Sequence, residues 1–302
     1  MGAIQQALLA VEAVEVISPP LDSYTTSLWT ACALQRLLTS YTGALIRVRE
    51  SGGDTEADIG YGLDNLLDDT ALLAHCGANS GFIVKWYDQS GNARDLEQAT
   101  AGKQPLLVTS GVRLKEILWD GSDDELATSG NLTGAASSAY FSGRIKRPVT
   151  GANNTQNVVM KYGDYFWYER KATGRDETQI MLSTIGGTYS KGHAPNMAED
   201  DACFTLTYDT TGGTDYLLSN IYVNGSVDGG THAGGTKAAY SAGTVRVGSD
   251  GNSTGGSSRL ALDKFVMYSV FHNTGTSPTV GTVSAALRPT PTAFNFDGRT
   301  TG

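Results

Sequence analysis

Three stretches of this sequence hold side chains whose types and spacing could do chemistry. The first is Tyr87-Asp88-Gln89-Ser90-Gly91, a carboxylate and a hydroxyl just ahead of a glycine. Asp88 there can take hydrogen bonds from a ligand, but Asp and Ser in such a loop ordinarily close on their own backbone, and the turn-forming role is the expected one. The second is Asp120, Asp123, Asp124 and Glu125, which crowd acids into one short loop. Ca²⁺ wants several oxygen ligands of this kind. The spacing is not that of an EF-hand, so a solvated acidic turn is expected and no metal is assigned. The third is Tyr162-Gly163-Asp164-Tyr165-Phe166-Trp167-Tyr168. Aromatic rings stack on sugar faces while a nearby carboxylate takes hydroxyl hydrogen bonds, which makes Tyr165 and Trp167 candidates for glycan contact. In an alternating strand half of these rings are core instead.

Other chemistries find no support in the spacing. His75, His193, His232 and His272 are scattered without metal-ligand intervals, and Cys32, Cys76 and Cys203 are odd in number and far apart, with neither a metal motif nor a disulfide framework. No Ser-His-Asp order, phosphate loop or dinucleotide fingerprint stands out, and no cofactor is expected. A formal net charge of -9, from 22 Lys+Arg against 31 Asp+Glu, argues against the broad electropositive surface that nucleic acid needs. Met1 to Ala10 has no basic start and is too polar and short for a signal or a spanning helix. Synthesis in a cytoplasm, solubility and no membrane insertion are the expectations.

The elements that must position these residues are mostly strands. Among 302 residues, 37 are glycine and 8 proline, and only 18% are charged, as many short strands joined by tight turns would require. A helix is predicted over Ser27 to Tyr41, where Leu28, Ala31, Leu34 and Leu38 recur at helical intervals, and a second over Leu66 to Cys76 with Gly77 as its cap. Strands are predicted at Ile46 to Arg49 and Phe82 to Tyr87, and one after another from Ile117 onward. Inner faces there should include Phe204, Leu206, Val245, Val247, Phe265 and Met267. Asn224-Gly225 predicts a two-residue hairpin, and the absence of a fixed period argues against a propeller or solenoid. Residues 1–22 form an arm with Ile4, Leu8, Leu9, Val11, Val14, Val16 and Ile17 before Pro19-Pro20; it either completes its own fold or docks on another subunit. Residues 23–290 are assigned to one sandwich domain and 291–302 to a tail.

Leu38-Thr39-Ser40-Tyr41-Thr42-Gly43, Ile46-Arg47-Val48-Arg49 and Trp86-Tyr87-Asp88-Gln89-Ser90-Gly91-Asn92 together resemble the N-terminal half of arabinofuranosidase B catalytic domains, over residues 28–112. The block is also similar to one in phage tail-fibre and other virion proteins, often after a start like Met1-Gly2-Ala3-Ile4-Gln5-Gln6. Leu118-Trp119-Asp120-Gly121 and, later, Tyr222-Val223-Asn224-Gly225 with Val245-Arg246-Val247-Gly248 resemble laminin-G or concanavalin A-like domains in the order those domains have. The resemblance implies a mainly β fold, a concanavalin A-like jelly-roll β-sandwich with a few short helices near the N-terminus.

A retaining glycosidase needs two carboxyl groups about 5–5.5 Å apart. The arabinofuranosidase resemblance sets Asp250, in Gly248-Ser249-Asp250-Gly251-Asn252-Ser253, at the family's acid/base turn. Inactive laminin-G domains carry a similar turn, so Asp250 is read as a turn-former and a candidate for glycan contact. The nucleophile stretch matches Asp176-Glu177-Thr178-Gln179-Ile180-Met181-Leu182, with Gln179 nearest the nucleophile's place. Glutamine cannot serve there, Glu177 would need the register to shift by two, and the family's adjacent cysteine pair is missing. No catalytic residue is assigned and hydrolysis is not expected. The implied function is a phage virion component of tail, baseplate or capsid surface, with other virion proteins, copies of itself and a host surface glycan as partners. An arabinofuranosidase-type glycoside hydrolase and a free carbohydrate-binding module are the alternatives.

Overall fold

Short apolar runs broken by glycine and polar turns become strands here, and their pairing sets the architecture. The computed structural model describes residues 16, 18–23, 25, 28–130 and 243–249, and the backbone of the strands between 138 and 268, where Met160 and Lys161 are also described at side-chain level. Most of the arm and the whole of the tail lie outside the described residues. Strands are numbered in chain order. One layer runs β3 (Glu56–Ile59), β2 (Ile46–Glu50), β4 (Gly81–Trp86), β5 (Leu96–Glu97), β8 (Leu126–Thr128), β18 (Val245–Val247) and β10 (Thr155–Tyr162). It continues through β11 (Tyr165–Ala172), β12 (Arg175–Leu182), β13 (Gly187–His193) and β17 (Thr231–Ala233). In the other, β1 (Leu28–Ala33) and β7 (Val112–Leu118) share one edge of β19 (Ala261–Tyr268), whose far edge holds β9 (Ser138–Lys146). Beyond β9 come β14 (Ala202–Asp209), β15 (Asn220–Val223) and β16 (Ser226–Val227). Through β6 (Leu106–Thr109), which pairs with β4 and β7, the layers are continuous at one margin.

Every described pairing is antiparallel, as expected for strands with one dry and one wet face. The core joins the layers: Trp29 and Cys32 from β1 cluster with Ile46, Trp86, Leu96, Leu126, Met160, Val245 and Val247. Cys32 pairs with Phe265, Phe265 with Gly143 and Gly143 with Phe204, so these positions share the face that Cys32 presents to the core. Thr30, Met267, Phe141 and Leu206 make the next row of that face. The predicted inner positions thus fall on one face in each layer. Val223 pairs with Ser226, which brackets Asn224-Gly225 as the hairpin that the sequence predicts.

The helix predicted over Ser27 to Tyr41 is not there. Its first half is β1, buried at every position, and a run buried on both sides loses the alternation that separates strand from helix. The second helix exists but starts later, as α1 (Asp69–Cys76), because Leu66 and Leu67 bridge Gln35 and Tyr61. Asp68 accepts the Ala71 N–H at 2.9 Å as N-cap, and Gly77 leaves the helix at φ 57°. Leu21 is fully buried and donates its N–H to the Leu37 carbonyl at 2.9 Å, while Asp22 takes the Thr39 N–H at 2.7 Å. The chain therefore joins the sandwich within the segment assigned to the arm. No described helix is long and apolar enough to cross a membrane.

Candidate functional site

The loop after β4 lies along β1. Asp88 is 5% exposed. Its Oδ1 accepts the Ala31 and Ser90 N–H groups, each at 2.9 Å, and its Oδ2 accepts the Ser90 hydroxyl at 2.7 Å and the Arg94 N–H at 3.0 Å. Gln89 accepts the Leu37 N–H at 2.7 Å, donates to the Gln35 carbonyl at 2.9 Å, and gives its own N–H to Ala31 at 2.8 Å. Asn92 donates to the Leu28 carbonyl and Arg94 to that of Trp29. With β19 on one edge of β1, this loop satisfies the backbone of the other, which would otherwise be an open sheet edge.

The acidic loop has a second role beside its charge. Asp124 is buried and accepts the Asp120 N–H at 2.8 Å, and Asp120 accepts that of Ser122 at 2.7 Å. Carboxylate oxygens of Asp120, Asp123 and Asp124 lie within 4.8 Å of one another. Burial first, then the Asp120 and Asp123 charges, push the Asp124 carboxyl up to about 7 against the pull of the Asp120 N–H. At one end of the loop Glu125 meets Arg246 of β18 at 2.8 Å. At the other, fully buried Trp119 packs on Gly248, which has φ 87°. Ser249 is buried next to it, and Asp250 lies outside the described residues.

Because the folded protein holds the Asp124 proton more tightly than the unfolded chain does, the stability this group contributes is complete below the ordinary aspartate range. It is lost as pH rises through about 7. Asp124→Asn keeps an oxygen for the Asp120 N–H without the charge. It should melt above the parent at about pH 8 and level with it at about pH 4; coincident melts at the higher pH would show that the buried charge carries no cost.

Cross-strand partners share a face of a sheet. In the larger layer one row reads Ile59, Ile46, Trp86, Leu96 and Thr128, all buried. On the same side, Leu126 pairs with Val247, Val247 with Met160 and Met160 with Trp167, while Val245 pairs with Tyr162 and Tyr162 with Tyr165. Trp167 and Tyr165 therefore take register positions on the core-bearing face. The row one residue over begins Asp58, Arg47, Lys85 and Glu97, and runs on through Ala127, Arg246, Lys161 and Phe166. It is wet. Arg47 grips Asp58 at 2.7 Å, Lys85 meets Glu97 at 3.0 Å and Asp95 at 3.4 Å, and the Tyr87 hydroxyl donates to Asp58 at 2.8 Å. The Arg47 guanidinium holds the Asp58 carboxyl below its usual range. A further row of this face reads Tyr168, Gln179, Ser190, with Arg170 and Glu177 paired beyond it.

The structure thus separates the sequence candidates. Asp88 is turned to β1, Asp250 is not described, and Tyr165 and Trp167 sit by register behind the polar face that carries Phe166 and Tyr168. Sequence reasoning passed over Lys161, Phe166, Tyr168 and Arg246. The aromatic density was the available signal, but which half of an alternating strand faces solvent depends on its partners, and β10 is bulged between Val158 and Met160. The thiols of Cys32 and Cys76 are free and buried, and burial pushes that of Cys32 well above its ordinary range.

No family model matches this chain, and no curated protein matches it. Solved structures do. A GH54 α-L-arabinofuranosidase soaked with 4-nitrophenyl α-L-arabinofuranoside superposes with a TM-score of 0.57 at 16% identity, over 89% of this chain and 65% of that one. An arabinofuranosidase complexed with arabinofuranosyl-α-1,2-xylobiose gives 0.53 at 15% identity, over the same shares. The chain spans 65% of the length of these enzymes. At such identity the likeness is one of fold, and together with the antiparallel layers it makes this protein a mainly β, antiparallel β-sandwich of the kind those enzymes carry.

Proposed function

We propose that this chain is a non-catalytic glycan-binding sandwich carried by a phage particle. One observation supports glycan binding above the others. From β2 to β18 and at Met160 the described residues of the large layer's inner face are buried, while the opposite face sets Phe166, Tyr168, Gln179 and Ser190 at register positions beside part-exposed Lys161 and Arg246. Rings, amides, hydroxyls and cations are the groups that hold a saccharide by stacking and hydrogen bonding. The structural neighbours include arabinofuranosidases whose names give arabinofuranosides as ligands, which fits this surface. Against catalysis stands Gln179, an amide where the resembling family has its nucleophile. The phage setting rests on the Tyr-Asp-Gln-Ser-Gly block and on the start of the chain, with assembly against virion proteins or further copies of itself.

Purified protein is expected to retain glycans on an array and to release 4-nitrophenol from 4-nitrophenyl α-L-arabinofuranoside no faster than the buffer does. Turnover that vanishes in both Asp250→Asn and Glu177→Gln would make it a hydrolase instead. An array without any retained glycan would remove the binding role. Mass spectrometry of purified particles tests the setting, the expected result being stoichiometric presence of this polypeptide.

A further inference from the structure

Asp120-Gly121 is one of four Asp-Gly steps in the chain, with Asp228-Gly229, Asp250-Gly251 and Asp297-Gly298, and the one that falls among the described residues. Such a step is chemically weak, because glycine has no side chain to shield its nitrogen from the carboxyl carbon one residue back. Here the turn brings the two together. Asp120 and Gly121 are exposed, Gly121 has φ 84°, and Asp120 Oδ1 accepts the Ser122 N–H at 2.7 Å. A carboxyl bonded to the N–H two residues on is folded across the intervening peptide. Its Cγ is thereby set over the Gly121 nitrogen, at roughly the 3–3.5 Å from which bonds form.

A carboxylate resists a nitrogen nucleophile until it is protonated, so the step also needs an acid. Asp124 is buried, and the carboxylate oxygens of Asp120, Asp123 and Asp124 lie within 4.8 Å of one another, a span that one water closes. Asp124 Oδ2 takes the Asp120 N–H at 2.8 Å, which leaves Oδ1 to carry a proton. Burial, and then the Asp120 and Asp123 charges, hold that proton up to about pH 7. From the elements packed on the loop, β18 offers Arg246, which Glu125 engages at 2.8 Å, and Ala101–Lys103 offers the Lys103 carbonyl, which takes the Glu125 N–H. The charges that act on Asp124 are those of its own loop.

Independently of the glycan-binding reading, we propose that Asp120-Gly121 is a self-modification site, at which the folded loop converts aspartate to isoaspartate with Asp124 supplying the proton. The Gly121 nitrogen bonds to Cγ of Asp120 and closes a succinimide ring. One carboxyl oxygen leaves as water, taking the Gly121 amide hydrogen and the proton from Asp124. Water then opens the ring. Cleavage of the bond between the Gly121 nitrogen and Cγ restores aspartate. Cleavage of its bond to the Asp120 main-chain carbonyl carbon leaves isoaspartate, with the chain running on through Cβ and Cγ. The proton released on opening returns to Asp124.

The test ages the full chain just below neutral pH, both folded and in urea. Isoaspartate at residue 120 is read by peptide mapping with endoproteinase Asp-N, which ceases to cut there, and by enzymatic methylation of isoaspartate. Conversion at Asp120 is expected to be at least about tenfold faster in the folded chain than in urea. It should slow as pH rises through about 7, where Asp124 loses its proton. Asp124→Asn keeps an oxygen for the Asp120 N–H and should bring the folded rate down to the unfolded one. Conversion no faster in the folded chain than in urea overturns the proposal, since the step would then react by its sequence alone. A folded-state excess that persists in Asp124→Asn overturns Asp124 as the proton donor.

Discussion

Asp88→Ala is expected to lower the unfolding free energy by about 4 kcal/mol, a large share of what holds a domain together. The carboxylate is nearly inaccessible, and each of its oxygens accepts two hydrogen bonds, three of the four from backbone N–H groups. A hydrogen bond to a charged acceptor contributes roughly 1.5–3 kcal/mol, and removal of the acceptor leaves its donors desolvated. Ala31, fully buried on a strand closed on both edges, has no water to turn to. Asp88→Asn should cost about half as much, since an amide keeps an oxygen for the Ala31 and Ser90 N–H groups and its NH2 can donate to the Ser90 hydroxyl, leaving only the Arg94 N–H opposed. Urea unfolding with an unchanged slope would measure both. A loss below about 1 kcal/mol for the alanine variant would show that the loop does not hold β1, and would reopen Asp88 to a ligand. Glycan affinity of whatever Asp88→Asn protein remains folded should equal that of the parent, a result that a contact residue would not give.

Most of the fold was legible because alternation and turn chemistry act locally. Ile46 to Glu50 reads as a strand since Ile46 and Val48 are dry while Arg47 and Arg49 are wet. Asn224-Gly225 fixes a hairpin without reference to anything distant. Leu28 to Ala33 was misread because the cue itself was missing. Buried on both sides by β19, the core and the 88–94 loop, this run has no polar side, and Leu28 and Ala31, with Leu34 and Leu38 beyond them, fit a helical period as well as a strand. The site was less legible for a different reason. Tyr165 to Tyr168 shows that rings alternate, but the face that is wet follows from the pairing of Met160 with both Val247 and Trp167, partners that lie far away along the chain. The importance of Asp88 was readable from its type and loop, whereas its partner strand, more than fifty residues earlier, was not.

The turn that follows β18 should prove to be built on one indole. Gly248 has φ 87°, a conformation that costs a residue with a Cβ roughly 1–2 kcal/mol. A Cβ there would also overlap Cδ1 and Nε1 of Trp119, whose side chain is fully buried and has no room to retreat. Overpacking of a rigid core adds roughly 1–3 kcal/mol, so Gly248→Ala is expected to lose about 3 kcal/mol in all. Trp119→Leu alone should lose a similar amount through the cavity it leaves. The pair together should lose about 1–2 kcal/mol less than the sum of the two, because with the indole gone only the dihedral strain of the alanine remains. Urea unfolding of the parent, both single variants and the double variant measures that difference. Additivity within about 0.5 kcal/mol would mean that Gly248 is kept for its φ alone. Coupling of the expected size places Trp119, at the start of the acidic loop, as the support of a turn that begins two residues after Arg246, and ties the geometry of the wet face to the packing of the core beneath it.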